Sequence, residues 1–175
     1  MHLLTENEIQ ERLAEVATLR VALDPDPIAN GIGSINKKIS ELQLYKDRLS
    51  YLITEALHNN NTSEIEYEQL KGEYERQLQT LLATDSTVMS GKSADARSAA
   101  ANQKMPELVL KVHFSEIEKL KASGYLNVLK NIYSNLESCN SNLSRQITVL
   151  QMSMQLNGIQ RSADGTQSGT LTKTY

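Results

Sequence analysis

The sequence predicts an all-α protein: a long antiparallel helical hairpin, coiled-coil-like, with a short N-terminal helix and a disordered C-terminal tail. Three observations predict it. Apolar side chains recur at steps of three and four over two long stretches. Only 39% of residues are hydrophobic, with no Trp and a single Phe, so a compact globular core would lack bulky aromatics. Helices that bury a stripe suit such a composition better than a sphere does. No strand-like alternation is evident, and the β-branched run Ile147-Thr148-Val149 is too short to overturn the helical period.

A first helix is expected over residues 5–22. Thr5 and Glu8 have the S/T-x-x-E spacing of a capping box. Ile9, Leu13, Val16 and Leu19 follow at helical spacing. Asp24-Pro25-Asp26-Pro27 then ends it, because each Pro disfavours the α conformation in the residue before it. Ile28 to Gly33 reads as a flexible joint.

A second helix is expected over residues 33–83. Ile32, Ile35, Ile39, Leu42, Lys46, Leu49, Ile53 and Ala56 form a heptad run with one polar interruption, Lys46. That lysine reads as a stem that packs while its ammonium reaches solvent. The pattern weakens at His58-Asn59-Asn60-Asn61-Thr62. The helix is expected to continue through it, since the run holds neither Pro nor Gly. Leu70, Tyr74, Leu78 and Leu81 then resume the stripe.

Residues 84–92 are rich in turn formers and reverse the chain. Ser93 is a candidate cap for the next helix, whose alanines favour helix but bury little. Pro106 predicts a kink or a restart. The third long helix is expected over residues 106–157, ending at Asn157-Gly158. Gly124 inside it reads as a close helix approach or a tolerated weak point. Each long arm of ~50 residues would reach ~75 Å at ~1.5 Å per residue. The chain thus divides into residues 1–30, an acidic helix and hinge; 31–158, the hairpin; and 159–175, a polar tail rich in Gly, Ser and Thr.

In the third helix Leu129, Ile132, Leu136, Cys139, Leu143, Gln146 and Leu150 follow the heptad closely, and Ile147 widens the stripe. Protruding helices bury too little surface in one copy, so association would supply the rest. Leu129, Ile132, Leu136, Leu143, Ile147 and Leu150 are therefore the expected self-association seam.

Charge is unevenly spread over a net −3. Residues 1–30 hold two basic and six acidic side chains, whereas residues 91–130 hold seven basic and four acidic. The total argues against a general nucleic-acid coat, while the local excess leaves room for one basic surface. Arg97, Lys104 and Lys111 are seven apart, a step that rotates only ~20° on a straight helix. They would line one face together with Lys119 and, less cleanly, Lys92, if the helix runs through Met105-Pro106. Such a stripe suits phosphates, whose counterions it would release.

Little else suggests chemistry. The three histidines, His2, His58 and His113, have no second His or Cys at metal-ligand spacing. Gly31-Ile32-Gly33 has no strand before it and no phosphate-loop partner. The acids Glu64, Glu66, Glu68, Glu73 and Glu75 spread around a helix rather than converge. No nucleophile and base are paired, so neither an enzyme nor a cofactor is expected. The lone Cys139 cannot form an internal disulfide and reads as a small buried hydrophobe. No apolar stretch approaches the ~20 residues of a membrane span, and the N-terminus lacks a leader pattern. A cytoplasmic location is the default expectation.

The layout resembles the UvsY-type recombination mediators of tailed phages. The resemblance covers about residues 35–158. It rests on KKISELQLYKDRLSYLITEAL in the first arm, on GKSADARSAAANQKMPELVLKV opening the second, and on SGYLNVLKNIYSNLESCNSNLSRQITVLQMSMQLNG at its end. The resemblance implies a ring-shaped homo-oligomer without catalysis of its own. It would bind single-stranded DNA, help displace the single-strand-binding protein and load a RecA-like recombinase. Carried over, Lys92, Arg97, Lys104 and Lys111 become the DNA contacts. The chain departs from the family in its acidic charge, its helix at residues 5–22 and its tail. That acidic helix is expected either to cover the basic face or to dock on a partner. The competing expectation is a structural coiled-coil component, such as a virion assembly part, which needs no DNA.

Overall fold

A computed structural model describes the backbone of residues 4–166 and the side chains of residues 4–156. Every regular element among the described residues is helical. They are α1 (Glu6–Ala17), α2 (Pro27–Thr84), α3 (Ser86–Met89), α4 (Ala94–Lys104) and α5 (Pro106–Thr166). The expected end of the tail, residues 167–175, lies outside the described residues.

The helix starts follow local chemistry. Thr5 and Glu8 close their box reciprocally: the Thr5 N–H donates to Glu8 Oε2 at 2.7 Å, and the Glu8 N–H to Thr5 Oγ1 at 3.3 Å. Asp85 caps α3 by accepting from the Thr87 and Val88 N–H groups at 2.9 and 3.2 Å. Ser93 caps α4, accepting from the Ala96 N–H at 3.1 Å. Met105 leaves helical geometry at φ −131°, ψ 49°, and Pro106 restarts the chain as α5. Proline needs no N–H partner in a first turn and pushes its predecessor out of the α region.

Three boundaries differ from expectation. α1 stops at Ala17, not near residue 22. The joint at residues 28–33 is absorbed into α2, interrupted only where Gly31 takes φ 72°, ψ 174°. A side chain is strained there, so glycine carries the bend. α5 passes through Asn157-Gly158 and reaches Thr166. Gln160, Arg161 and Ala163 all tolerate helix, so a lone Asn-Gly does not stop it. The asparagine run stays helical as expected, and tertiary contact explains why: Asn59 is buried and its Oδ1 accepts the Leu4 N–H at 3.1 Å.

The chain separates into two compact units, to which α1, α2 and α5 each contribute. One unit holds Ser50–Asn131 with the chain up to Ala14. Its core joins Val88, Ala101, Met105 and Leu108, with Leu70, Tyr74, Leu78 and Leu81 of α2 against them. The Tyr74 hydroxyl donates to Asn102 Oδ1 at 3.0 Å, tying α2 to α4.

The other unit holds Glu15–Leu49 with the chain from Ile132 onward. Its core joins Ile35 and Leu42 of α2 to Leu143 and Leu150 of α5, flanked by Val21, Ile32, Ile39, Cys139 and Ile147. Lys46 packs its stem as expected, but its ammonium is held by neighbours and does not run free into solvent. Its ammonium lies 5.1 Å from the Tyr133 ring centre and 3.4 Å from Glu137 Oε1.

The expected self-association seam is filled by the chain's own side chains. Leu129, Leu136, Leu143 and Leu150 are buried, and Ile132 and Ile147 are half-buried. A heptad specifies a partner helix, and here α2 supplies one for Leu143, Ile147 and Leu150.

Candidate nucleic-acid interface

All five expected cations, Lys92, Arg97, Lys104, Lys111 and Lys119, fall in the unit built on Ser50–Asn131. They do not share one straight helix. Lys92 precedes α4, Arg97 and Lys104 lie on α4, and Lys111 and Lys119 on α5. The break at Met105-Pro106 cuts the stripe that seven-residue steps would draw.

Their surroundings differ. Lys92, Arg97 and Lys111 are exposed. Among the described residues, the ion pairs of this unit run through Arg12, Lys104, Lys119 and Lys121 instead. Arg97 lies across the turn at Gly91, where an added Cβ would stand 2.7 Å from the Arg97 Cγ. Glycine at 91 thus makes room for the arginine stem.

Lys104 pairs with Asp85, the α3 cap. The ammonium of Lys104, followed by the Val88 N–H, holds the Asp85 carboxyl below the usual carboxylate range. Lys119 is turned inward to α2. Its ammonium stands 3.6 Å from Glu64, 3.8 Å from Glu68 and 4.7 Å from the Tyr67 ring centre. It is therefore a strut between α5 and α2 more than a ligand contact.

Lys104 and Lys111 meet again across the helix break, because both line one groove. A hollow of about 450 Å³ takes in Lys104, Met105, Pro106 and Lys111 on one side and Glu73 and Gln77 of α2 on the other. It adjoins a second hollow of about 520 Å³ that shares Glu73, Gln77, Lys104 and Met105 and adds Arg76 and Thr80. Glu73, Arg76, Gln77 and Thr80 stand at i, i+3, i+4 and i+7, one flank of α2 beside its buried stripe. Arg76 is exposed, its Nε bound to the Gly72 carbonyl at 3.2 Å. In the sequence Arg76 simply follows Glu73 and Glu75, two of the acids that spread around the helix. The signal that singles it out is its offset from Leu70, Tyr74, Leu78 and Leu81.

The acidic α1 does fold back onto its own chain, but not onto these cations. Glu6 pairs with Lys121 at 3.0 Å, and with Glu118 it holds the Lys121 ammonium above its ordinary value. Arg12 pairs with Glu55, and Glu15 with Arg48. Gly124 shows no close helix approach: a Cβ there would meet nothing within 4 Å, and it opens onto a hollow of about 220 Å³ beside Ile9 and Leu13 of α1.

Neither a metal cluster of His, Cys, Asp and Glu nor a helix long and apolar enough to cross a membrane occurs among the described residues. No protein-family model matches the chain, and neither a curated protein nor a solved structure matches it.

Proposed function

We propose that the chain is a non-enzymatic recombination mediator that binds single-stranded DNA and assists loading of a RecA-like recombinase as a homo-oligomer. The observation that carries this reading is the group Lys92, Arg97 and Lys111. These three cations stand exposed on one unit, while Lys104, Lys119 and Lys121 of the same stretch are drawn into ion pairs. Uncompensated cations release counterions when they meet phosphates, and that release drives strand binding. The recombinase and single-strand-binding protein enter through the resemblance to UvsY-type mediators. Copies would associate through surfaces other than the filled Leu129 to Leu150 seam.

The test is binding of a fluorescent oligonucleotide across a salt series, with light scattering on the same sample. Replacing Lys92, Arg97 and Lys111 together by Ala should weaken binding about equally for all sequences and lower the salt slope by ~2, at ~0.7 per single-strand phosphate contact. A chain that ignores DNA at low salt would favour a structural coiled-coil scaffold. That second reading draws on Tyr51, Ile65, Leu110, Phe114 and Leu120, which stand exposed on the same unit.

A further inference from the structure

The groove at the helix break has a wall that the basic stripe alone does not reveal. On one side stand Lys104 and Lys111, on either side of Met105-Pro106; on the other, Arg76, Gln77 and Thr80 of α2. A cation on each wall, with amide and hydroxyl groups between, matches a chain of phosphates and sugars. The residues lining the floor are aliphatic or thioether side chains, chiefly Leu81, Met105 and Leu108, and no aromatic lines either hollow. Stacking platforms for bases are therefore not supplied here.

We infer that this groove is a two-walled track for the sugar–phosphate backbone of a single strand, with Arg76, Gln77 and Thr80 forming its second wall. The inference rests on the strand-binding reading and deepens it: the groove grips backbone, not base. Three carboxylates limit the grip, Asp85 among them, which pairs with Lys104. Glu73 lies in both hollows and accepts from Gln77 Nε2 at 3.2 Å, and Glu107 lies in one. The negative charge of Glu73, which lines both hollows, repels phosphate and so tunes affinity downward.

The experiment compares the full-length wild-type chain with Arg76→Ala, Arg76→Lys and Glu73→Gln. The ligands are an oligothymidine, the same strand with abasic sites, and a duplex of equal length. Arg76→Ala should weaken the single strand by up to about five-fold, the ceiling for an exposed charge pair. Its salt slope should fall by ~0.7, and Arg76→Lys should restore most of both. Glu73→Gln should tighten binding by a similar factor, and abasic sites should cost little. Helicity by circular dichroism should stay constant, since Arg76 is exposed and holds only its own helix's carbonyl.

Three outcomes decide it. Wild-type binding that Lys92, Arg97 and Lys111 control, but that Arg76 and Glu73 leave untouched, overturns the groove while the strand-binding reading stands. Strong loss on abasic sites, or a duplex bound as tightly, also overturns the groove. Wild-type protein that binds no strand overturns both.

Discussion

Each unit shows one distinctive polar feature: a buried carboxylate cluster in one, and exposed cations around a helix break in the other. In the unit built on Glu15–Leu49, Asp24 is buried and its own polar atoms are answered from within the chain. Its carboxylate accepts from Asn30 Nδ2 at 2.8 Å, Ser34 Oγ at 2.5 Å and the Asp26 N–H at 3.1 Å. Gln146 of α5 closes the set, its Nε2 donating to the Asp24 carbonyl at 2.9 Å and its Oε1 accepting the Asp24 N–H at 3.3 Å. In the unit built on Ser50–Asn131, Lys92, Arg97, Arg76 and Lys111 face outward instead. A polar group closed on its own chain fixes a fold, because burial without partners is costly. A charged group left open is available to a ligand. On the proposed strand-binding reading, the open cations of the Ser50–Asn131 unit are the ones that would meet phosphate.

The largest effect that should separate the units comes from the apolar core. Leu143 is fully buried among Ile35, Leu42 and Leu150. Leu143→Ala should cost ~2–5 kcal/mol in chemical denaturation. If the units unfold separately, hydrogen exchange should rise first around residues 32–42 and 143–150, with the Val88 core still protected. A single cooperative loss throughout would show that the chain unfolds as one body and would blunt the comparison.

A smaller effect distinguishes the buried carboxylate from the open cations by pH. Ser34 first and Asn30 second, by hydrogen bonding, hold the Asp24 carboxyl below the usual carboxylate range. A folded-state value below the unfolded one means that the anion stabilises the fold above the unfolded value of about 3.9. That contribution fades as pH falls through the lower folded value. Asp24→Asn should remove it at neutral pH, and the difference between wild type and variant should shrink on acidification below pH ~4. Strand binding, which on the proposed reading depends on Lys and Arg, should show no matching step at neutral pH in the variant. A difference that grew toward acid would reject the assignment.

How much of this was legible in the sequence follows from the range of each interaction. The Thr5–Glu8 box, the Ser93 cap and the restart at Pro106 are chemistry within four residues, and the pattern alone reveals them. The bond from Gln146 to Asp24 spans 122 positions, and nothing local marks it. The joint at residues 28–33 reads as loose because the Pro and Gly residues are visible while Asp24, Ser34 and Gln146 are not visibly connected. The seam was legible as a stripe but not as to its partner, since a heptad does not state which helix fills it. Among the cations, spacing found Lys104 and Lys111, whereas Arg76 required knowing which flank of α2 faces the break. Lys119 shows the converse: its register fits the stripe, and Glu64, Glu68 and Tyr67 claim it.

The smallest effect tests whether α4 is held by local chemistry alone. α4 buries only Ala101 and depends on its alanines and on Ser93, whose Oγ accepts the Ala96 N–H. Ser93→Ala should cost ~1 kcal/mol, the usual size of a lost cap. It should fray the first turn of α4 and loosen Arg97, which packs on Gly91 two residues before the cap. Hydrogen exchange should rise at residues 94–98, and strand affinity should fall modestly with an unchanged charge count. Ser93→Asp would restore the cap while adding a negative charge beside Lys92, so it should recover protection but not affinity. Recovery of both would mean that Lys92 and Arg97 contribute by shape and not by charge, and the contrast between closed and open polar groups would then lose its functional meaning.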